Sequence, residues 1–356
     1  MPPRKKRHAK AGKSKKKPLL WTLLILLLLI AGGAAIYFSS LVNSLGDMQK
    51  EGDNSPFQSV ANTDIQEPEA PKWEGKEPVN ILLMGVDARG VKKGEVPRSD
   101  TMLVASLDPV KKKFYVFSIL RDTYVDVPEH GKERINTAIT HGPNTAMQAV
   151  GDLLGIPIQY YVYTDFQGFI KLVDAVGGID YEVEKDMVYK TTADGPEYDI
   201  DLKAGYQHLD GNKALQYVRF RHDATSDFTR TERQRGFLKA VADKVISTTS
   251  ILKLPNILKQ VTPYIDTNLG LDDMWKLASV GYDSSMGGSE QIPPMDLLAE
   301  ERTDGGASVI GVKDEDALKQ FVQDTMADPV PSASPEASPG SDSAGGNTGS
   351  TNSTGN

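Results

Sequence analysis

Between residues 219 and 235 the chain carries five arginines, Arg219, Arg221, Arg230, Arg233 and Arg235, although its formal net charge is −8. A solvated basic face accounts for any one of them, but five together in an acidic chain point to an anion. In Tyr217-Val218-Arg219-Phe220-Arg221-His222 the alternation reads as an extended piece, both guanidiniums on one side and Phe220 on the other. Arg230 and Arg233 fall three apart on the first turns of a predicted helix and share a face. Cations at a helix N-terminus oppose the macrodipole. A bound anion there resolves the conflict, because helix N-termini and arginine forks both bind phosphate. Asp227 and Gln234 lie in the same stretch.

Two further groups lie upstream. Asp87, in Gly85-Val86-Asp87-Ala88-Arg89, follows a predicted strand, and Asp100, in Arg98-Ser99-Asp100-Thr101, precedes the next. Each is also a residue type that turns and local caps favour. At strand ends, where ligands of α/β sheets gather, two carboxylates can hold a hard cation. Magnesium takes one or two carboxylates together with substrate phosphates. Arg121, in Ser118-Ile119-Leu120-Arg121-Asp122-Thr123, emerges from a third strand at the same edge. A surface Arg–Asp pair there would by itself be worth little. Arg134-Ile135-Asn136-Thr137 follows after a short loop. The chemistry that suits these groups is phosphoryl transfer, in which arginines and a metal neutralise charge and a carboxylate takes a proton from the attacking hydroxyl. A serine nucleophile is not indicated, since no Gly-x-Ser-x-Gly elbow exists. The absence of cysteine excludes thiolate chemistry, disulfides and Cys-ligated metals. The five histidines, at 8, 130, 141, 208 and 222, show no helical metal spacing.

The elements that must position these residues alternate between strand and helix. Residues 79–86 form a nearly continuous apolar run, as a strand buried on both faces does. Residues 101–107 and 113–120 read as two more strands, split by Asp108-Pro109. Residues 145–154 read as a helix ended by Gly155 and Pro157. Residues 160–163 read as a strand, after which Asp165 caps a helix that runs to Ala175 and stops at Gly177-Gly178. Another strand is predicted over 179–183, and helices over 211–218 and 229–246. The pattern predicts a three-layer α/β/α sandwich around a mixed central sheet. Residues 251–310 read as helical and loop-rich, with no clear place in it.

Outside this domain the composition shifts sharply. Residues 1–18 hold nine Lys and Arg and no acid, leaving −17 for the remainder. Residues 19–38 are uncharged and as a helix span about 30 Å, the thickness of a bilayer core. The positive-inside rule then puts the N-terminus in the cytoplasm and the bulk of the chain outside. Small residues at 31–35 would suit a signal-peptide cleavage site, but the apolar run continues through Ile36-Tyr37-Phe38, which favours an anchor. The basic head is explained by membrane orientation and anionic lipid, so nucleic acid is not expected as a partner. Residues 39–77, acidic and rich in Pro, Asn and Gln, are expected to form an extracytoplasmic stalk. The domain is expected over 78–327. Residues 328–356, almost all Ser, Pro, Gly, Ala, Asn and Thr, are expected to be a disordered tail.

The stretch from Asn80 to Arg235 resembles the LytR-CpsA-Psr family. Seven segments carry the resemblance in order: 80–89 (Asn-Ile-Leu-Leu-Met-Gly-Val-Asp-Ala-Arg), 98–102 (Arg-Ser-Asp-Thr-Met), 118–125 (Ser-Ile-Leu-Arg-Asp-Thr-Tyr-Val), 134–138 (Arg-Ile-Asn-Thr-Ala), 172–179 (Leu-Val-Asp-Ala-Val-Gly-Gly-Ile), 209–221 (ending Tyr-Val-Arg-Phe-Arg) and 230–235 (Arg-Thr-Glu-Arg-Gln-Arg). The resemblance implies a magnesium-dependent phosphotransferase that moves a glycopolymer, such as wall teichoic acid or capsule, from an undecaprenyl-pyrophosphate carrier onto peptidoglycan. It implies a hydrophobic tunnel for the polyprenyl tail. Asp87 and Asp100 would be the metal-side carboxylates, and Arg98, Arg121, Arg219 and Arg221 would grip the pyrophosphate. Asp227, Arg230 and Gln234 would complete the site, so that Asp227, Arg121 and Arg230 are the catalytic candidates. Leu120 replaces a usual Pro and Arg134 a usual Lys, departures that bear on loop geometry more than on chemistry. A pyrophosphatase acting on the same lipid-linked substrates needs the same residues. A non-catalytic cell-envelope regulator needs neither Asp87 nor Asp227.

Overall fold

The computed structural model describes residues 16–50, 52–65, 72–92, 94–190, 199–221, 226–303 and 305–327, with the backbone alone for 16–28, 30, 53, 226–227, 248–249 and 251. In chain order the elements are α1 (Lys16–Gly46), β1 (Val79–Val86), β2 (Ser99–Asp108), β3 (Lys113–Ile119), β4 (Tyr124–Val127), β5 (Gly131–Arg134), α2 (Pro143–Leu154), β6 (Tyr160–Asp165), α3 (Phe166–Ala175) and β7 (Ile179–Val183). There follow β8 (Met187–Tyr189), β9 (Ile200–Leu202), β10 (Gly205–Leu209), α4 (Gly211–Arg219), α5 (Ser226–Val245), α6 (Thr248–Val261), β11 (Ile265–Thr267), α7 (Leu271–Tyr282), β12 (Ser285–Ile292), β13 (Leu298–Arg302), β14 (Ser308–Val312) and α8 (Glu315–Met326).

The central sheet is mixed, in the order β11-β6-β1-β2-β3-β12. β1 runs parallel to β6, and β3 parallel to β12, while the β1–β2, β2–β3 and β6–β11 pairs are antiparallel. The C-terminal ends of β1, β3, β6 and β12 and the start of β2 therefore share one edge. Asp87, Asp100, Arg121 and Asp165 all arrive there from different strands.

Period-two alternation sorts the strand residues between two faces. Leu82, Met84, Val86, Met102, Val104, Phe117 and Ile119 pack with Met147, Val150 and Leu154 of α2 and Leu318 and Val322 of α8. The other face lies under α3 to α6, whose Ile170, Val173, Leu215, Phe237, Val241 and Ile257 form a second core. At its lower end α7 covers Val79, Leu107 and Tyr160. Helices on both faces of a mixed sheet are the expected layers. Both edge strands, β11 and β12, come from residues 251–310, the part whose place the sequence left open.

The turn at Gly177-Gly178 explains the reversal from α3 to β7. Both glycines have positive φ (89° and 75°), and a Cβ at Gly178 would lie 2.3 Å from His208 Nε2. Asp165 caps α3 by accepting from Gly168 N at 2.8 Å, a contact worth about 1 kcal/mol.

The expected stalk over 39–77 is corrected by its described part, which folds onto the domain. Leu41, Ser44 and Met48, spaced three and four apart, are buried. Thr262 Oγ1 donates to Ser44 O at 3.0 Å, and Lys50 Nζ donates to Pro263 O at 2.7 Å. Phe57, 5% exposed, packs edge-on to Tyr161 and Tyr163 with centroids 5.9 and 4.9 Å away. Asp64 caps α2 from outside that helix, accepting from Thr145 N at 2.8 Å and Asn144 N at 3.2 Å. The residue at the cap position is Gly142, where a Cβ would lie 2.1 Å from Asp64 Cγ. The glycine gives up a cap of its own and leaves the space that the distant carboxylate fills. Burial of Phe57 and Trp73 outweighs the polar composition that suggested a free linker.

The predicted span 19–38 lies within the continuous helix α1. Among the described residues no helix is long and apolar enough to cross a membrane; the side chains of 19–28 are not among them. The chain divides into Met1–Met326 and Ala327–Asn356. The expected basic head 1–18, apart from the backbone of 16–18, and the expected tail 328–356 lie outside the described residues.

Candidate active site

Strand register builds the floor of the site. Leu83 lies opposite Leu103 on β2 and Val162 on β6, and Gly85 opposite Thr101 and Thr164. These side chains face α3 to α6 and line a cavity of about 570 Å³. Its walls are mostly apolar: Phe169 and Leu172 of α3, Leu215 and Val218 of α4, Leu238 of α5, Val261 and Ile265. Its rim carries Asp87, Asp100, Arg121, Arg219, Arg221, Arg230 and Gln234. One mostly apolar cavity thus carries arginines and carboxylates in its lining.

The rim groups are held by one another. Arg121 Nη1 is paired with Asp100 Oδ1, and Arg221 Nη2 stands 3.8 Å from the same oxygen. Arg89 pairs with Asp87, its Nε donating to Oδ1 at 2.7 Å. Burial works against ionisation of Asp87, but the hydrogen bonds and charge of Arg89, with the charge of Arg219, outweigh it and hold the carboxyl below its usual range. Phe166, the first residue of α3, lies under two guanidiniums, Arg219 at 5.3 Å and Arg89 at 5.7 Å from its ring centre. Such contacts favour a cation by about 0.5–1 kcal/mol each.

The structure changes three expectations about the arginines. Arg219 belongs to the last turn of α4, and Phe220, with φ −59° and ψ 130°, is the residue that ends the helix. At a helix C-terminus its charge is favoured by the macrodipole. Arg230 and Arg233 are both buried but serve different ends. Arg230 lines the cavity, whereas Arg233 donates to Glu184 Oε1 and to Phe220 O, each at 2.7 Å, and so braces the α4–α5 corner. Gln234 lines the cavity and donates to Val218 O at 3.3 Å. Arg98 does not line the apolar cavity. It is exposed and belongs to a second, polar pocket. Asp227 lies in the first turn of α5, and its side chain is outside the described residues.

That second pocket, of about 310 Å³, is lined by Arg98, Asp122, Arg134 and Asn136 with Pro97, and it shares Asp87, Asp100 and Arg121 with the apolar cavity. Arg134 Nε lies 3.4 Å from Asp122 Oδ1 and Arg121 Nε 3.6 Å from Asp122 Oδ2. Phe166, Arg89 and Asp122 were not singled out from sequence. Arg89 and Asp122 stand in the motifs that carry Asp87 and Arg121, and adjacency in those motifs was the available signal. Phe166 had none beyond its place after a capping Asp.

Asp87 and Asp100, two carboxylates from adjacent strand ends, match what magnesium takes from protein when substrate phosphates complete its shell. Among the described residues no group of three His, Cys, Asp or Glu could hold a metal alone. His130 and His141 do stack, ring centres 3.5 Å apart, with His141 Nε2 3.3 Å from Glu133 Oε2. The donor set therefore suits an ion shared with a diphosphate.

The model of the LytR_cpsA_psr family matches residues 37–325. A relative from Enterococcus faecalis, described as polyisoprenyl-teichoic acid–peptidoglycan teichoic acid transferase TagU, is 39% identical over 219 residues, covering 61% of this chain and 69% of the relative. The crystal structure of protein gbs0355 from Streptococcus agalactiae superposes with a TM-score of 0.62 at 27% identity, covering 71% of this chain and 89% of that one. TagT bound to LI-WTA superposes with a TM-score of 0.54 at 25% identity, covering 76% and 96%.

Proposed function

The chain belongs to the LytR_cpsA_psr family, and on that premise we propose that it transfers a glycopolymer from a polyprenyl-pyrophosphate carrier to peptidoglycan. The observation that carries this reading is the continuity of the apolar cavity with its rim. A hole walled by Phe169, Leu172, Val218 and Leu238 suits an isoprenoid chain, and the guanidiniums of Arg121, Arg219, Arg221 and Arg230 suit a diphosphate at its mouth. The transferase description of the enterococcal relative supports the same reaction.

This reading gives roles to the chain's own groups. The apolar walls exclude water from the lipid side. The arginines neutralise charge on the transferring phosphoryl oxygens, in a partly buried setting where such contacts are stronger than in water. Asp87, held ionised by Arg89, would with Asp100 hold magnesium, which supplies further neutralisation of the diphosphate when bound. Phe166 keeps Arg219 facing the mouth. Asp227, by its place in the family motif, is proposed as a further catalytic group.

We place the active domain outside the cell, on a single membrane anchor with a cytoplasmic N-terminus. Support comes from the helix that continues through 19–38 and from the nine basic residues that precede it.

The deciding experiment incubates the full chain in detergent with a lipid-pyrophosphate-linked glycan and peptidoglycan fragments. Joined product is expected, with release of polyprenyl phosphate. Free phosphorylated glycan without joined product would replace transfer with hydrolysis, and no turnover at all would leave a binding or regulatory protein.

A further inference from the structure

The end of α1 is fastened beside α6, and the two run in the same sense along their contact. Thr262, the residue after α6, donates from Oγ1 to Ser44 O at 3.0 Å. Further on, Gln49 Nε2 donates to Asn268 O at 3.5 Å. Later residues on one side thus meet later residues on the other. Going back along α1 toward its apolar run is therefore going back along α6 toward its first turn. A helix rises about 1.5 Å per residue. About 15 Å back from Ser44 stands Ala34, and about 15 Å back from Thr262 stands Leu252. Leu252 is thereby level with the end of the uncharged run 19–38.

We propose that the corner between α5 and α6, with Ile246, Leu252, Lys253 and Lys259, lies on the bilayer surface and takes anionic lipid headgroups. The proposal rests on the single-anchor reading above and adds a second membrane contact to it. Ile246 is 53% and Leu252 75% exposed, where water gains nothing from them. Leu252, Asn256 and Lys259, spaced four and three apart, share the exposed face of α6, and Lys253 flanks it. Ile257 and Val261 on the other face are buried in the core.

Charge selects the occupant. From Lys244 to Ile265 the chain carries three lysines, 244, 253 and 259, and no acid, although its net charge is −8. The acid just before this stretch, Asp243, is taken by Lys239 Nζ at 2.7 Å. Apolar side chains set among lysines are the composition of a helix that lies in a membrane interface, where lysine stems follow the apolar surface and the ammonium groups reach lipid phosphate. Each lysine beside an anionic surface favours contact by roughly fivefold. Leu238 of α5 and Val261 of α6 also wall the apolar cavity. The same two helices would thus hold that cavity at the surface where a lipid-linked substrate resides.

The chain has no cysteine, so an introduced one takes a label alone. The full chain carrying Leu252→Cys or Val110→Cys, each with a polarity-sensitive dye, is reconstituted into vesicles of phosphatidylcholine with phosphatidylglycerol and a headgroup-level nitroxide lipid. Val110, in the β2–β3 turn and 79% exposed, is the control. The dye at 252 should be blue-shifted and quenched, and the dye at 110 should stay as in water. Lys253→Glu with Lys259→Glu should remove most of the quenching at 252, as should high salt. A dye at 252 as water-exposed as the control would overturn the proposal. Equal quenching in pure phosphatidylcholine would overturn the choice of anionic headgroups. A blue shift in detergent that grows with protein concentration would assign the face to a second copy of the chain instead. If the full chain fails to float with the vesicles, the anchor reading itself fails and this contact with it, a result distinct from the others.

Discussion

Arg221 Nη2 stands 3.8 Å from the Asp100 carboxylate that Arg121 also grips, so one acid at the start of β2 ties together cations from the ends of β3 and α4. Both arginines line the apolar cavity, and in the proposed reaction they would leave this carboxylate for phosphate oxygens.

The first prediction concerns that poise. Lysine keeps the charge of Arg219 or Arg221 but loses the planar fork, so the exchange is not conservative where phosphate is gripped by two donors. Arg219→Lys and Arg221→Lys are each expected to lower turnover by roughly one to three orders of magnitude, the upper end matching loss of a transition-state donor. The melting temperature should change little, because neither side chain is in a core cluster. Turnover and melting curves measured on the same samples check this; normal turnover in both variants would remove the arginine grip from the mechanism.

The proposed magnesium site makes its own prediction about the two rim carboxylates. Asp87→Ala and Asp100→Ala are expected to lose most activity at limiting magnesium while keeping the far-ultraviolet circular dichroism of the parent. A magnesium titration of turnover is the measurement. Curves that superpose on the parent's in both variants would show that these acids hold no catalytic metal.

A pH effect is expected from Asp266, which is 1% exposed. Its Oδ1 accepts from the Tyr161 hydroxyl at 2.6 Å. Burial pushes this carboxyl up, against the opposing hydrogen bond of Tyr161 and charge of Lys50. A folded-state pKa above the unfolded value means that the folded chain binds more protons between the two. Stability from this group is therefore lost as pH rises from the ordinary carboxylate range, about 4, through the raised value. Asp266→Asn cannot ionise and still accepts from Tyr161. Relative to the parent it should gain stability as pH is raised from about 4 toward neutrality. Denaturant unfolding at a series of pH values gives the difference, and parallel pH profiles would contradict the assignment.

Topology makes a separate prediction. If the basic head holds the N-terminus in the cytoplasm, protease added to intact protoplasts should digest the chain beyond Ser40 and spare an N-terminal tag. Because Leu41, Ser44, Met48, Phe57 and Asp64 are packed on the domain, cleavage should begin within the domain's loops rather than just after α1. Full protection of the domain would reverse the proposed orientation.

Much of the site was legible in the sequence because its residues are local to strand and helix ends. Asp87, Asp100 and Arg121 follow or begin strands whose apolar runs are plain, and parity places strand ends at one edge. Arg219 and Arg221 were legible as a pair with Phe220 between them, but the helix that ends at Arg219 was read one residue short. The division of labour between Arg230 and Arg233 was not legible. A spacing of three puts both on one helical face, yet it says nothing of Glu184, which is distant in sequence and draws Arg233 away.

What the sequence by itself determined was the alternation of buried strands with helices, the local clusters of carboxylates and arginines at element ends, and the charge asymmetry around residues 19–38, since each depends on periodicity or composition within a short window. Only the tertiary structure decided that β11 and β12, both from the stretch 251–310, complete the sheet. It also decided that the supposed stalk is clamped to the domain by Phe57 and Asp64, and that the rim separates an apolar cavity from a polar pocket. The physical reason is common to all three. Strand order, long-range capping and the enclosure of space depend on which surfaces meet after the chain has collapsed, and a window of neighbouring residues carries no information about partners hundreds of positions away.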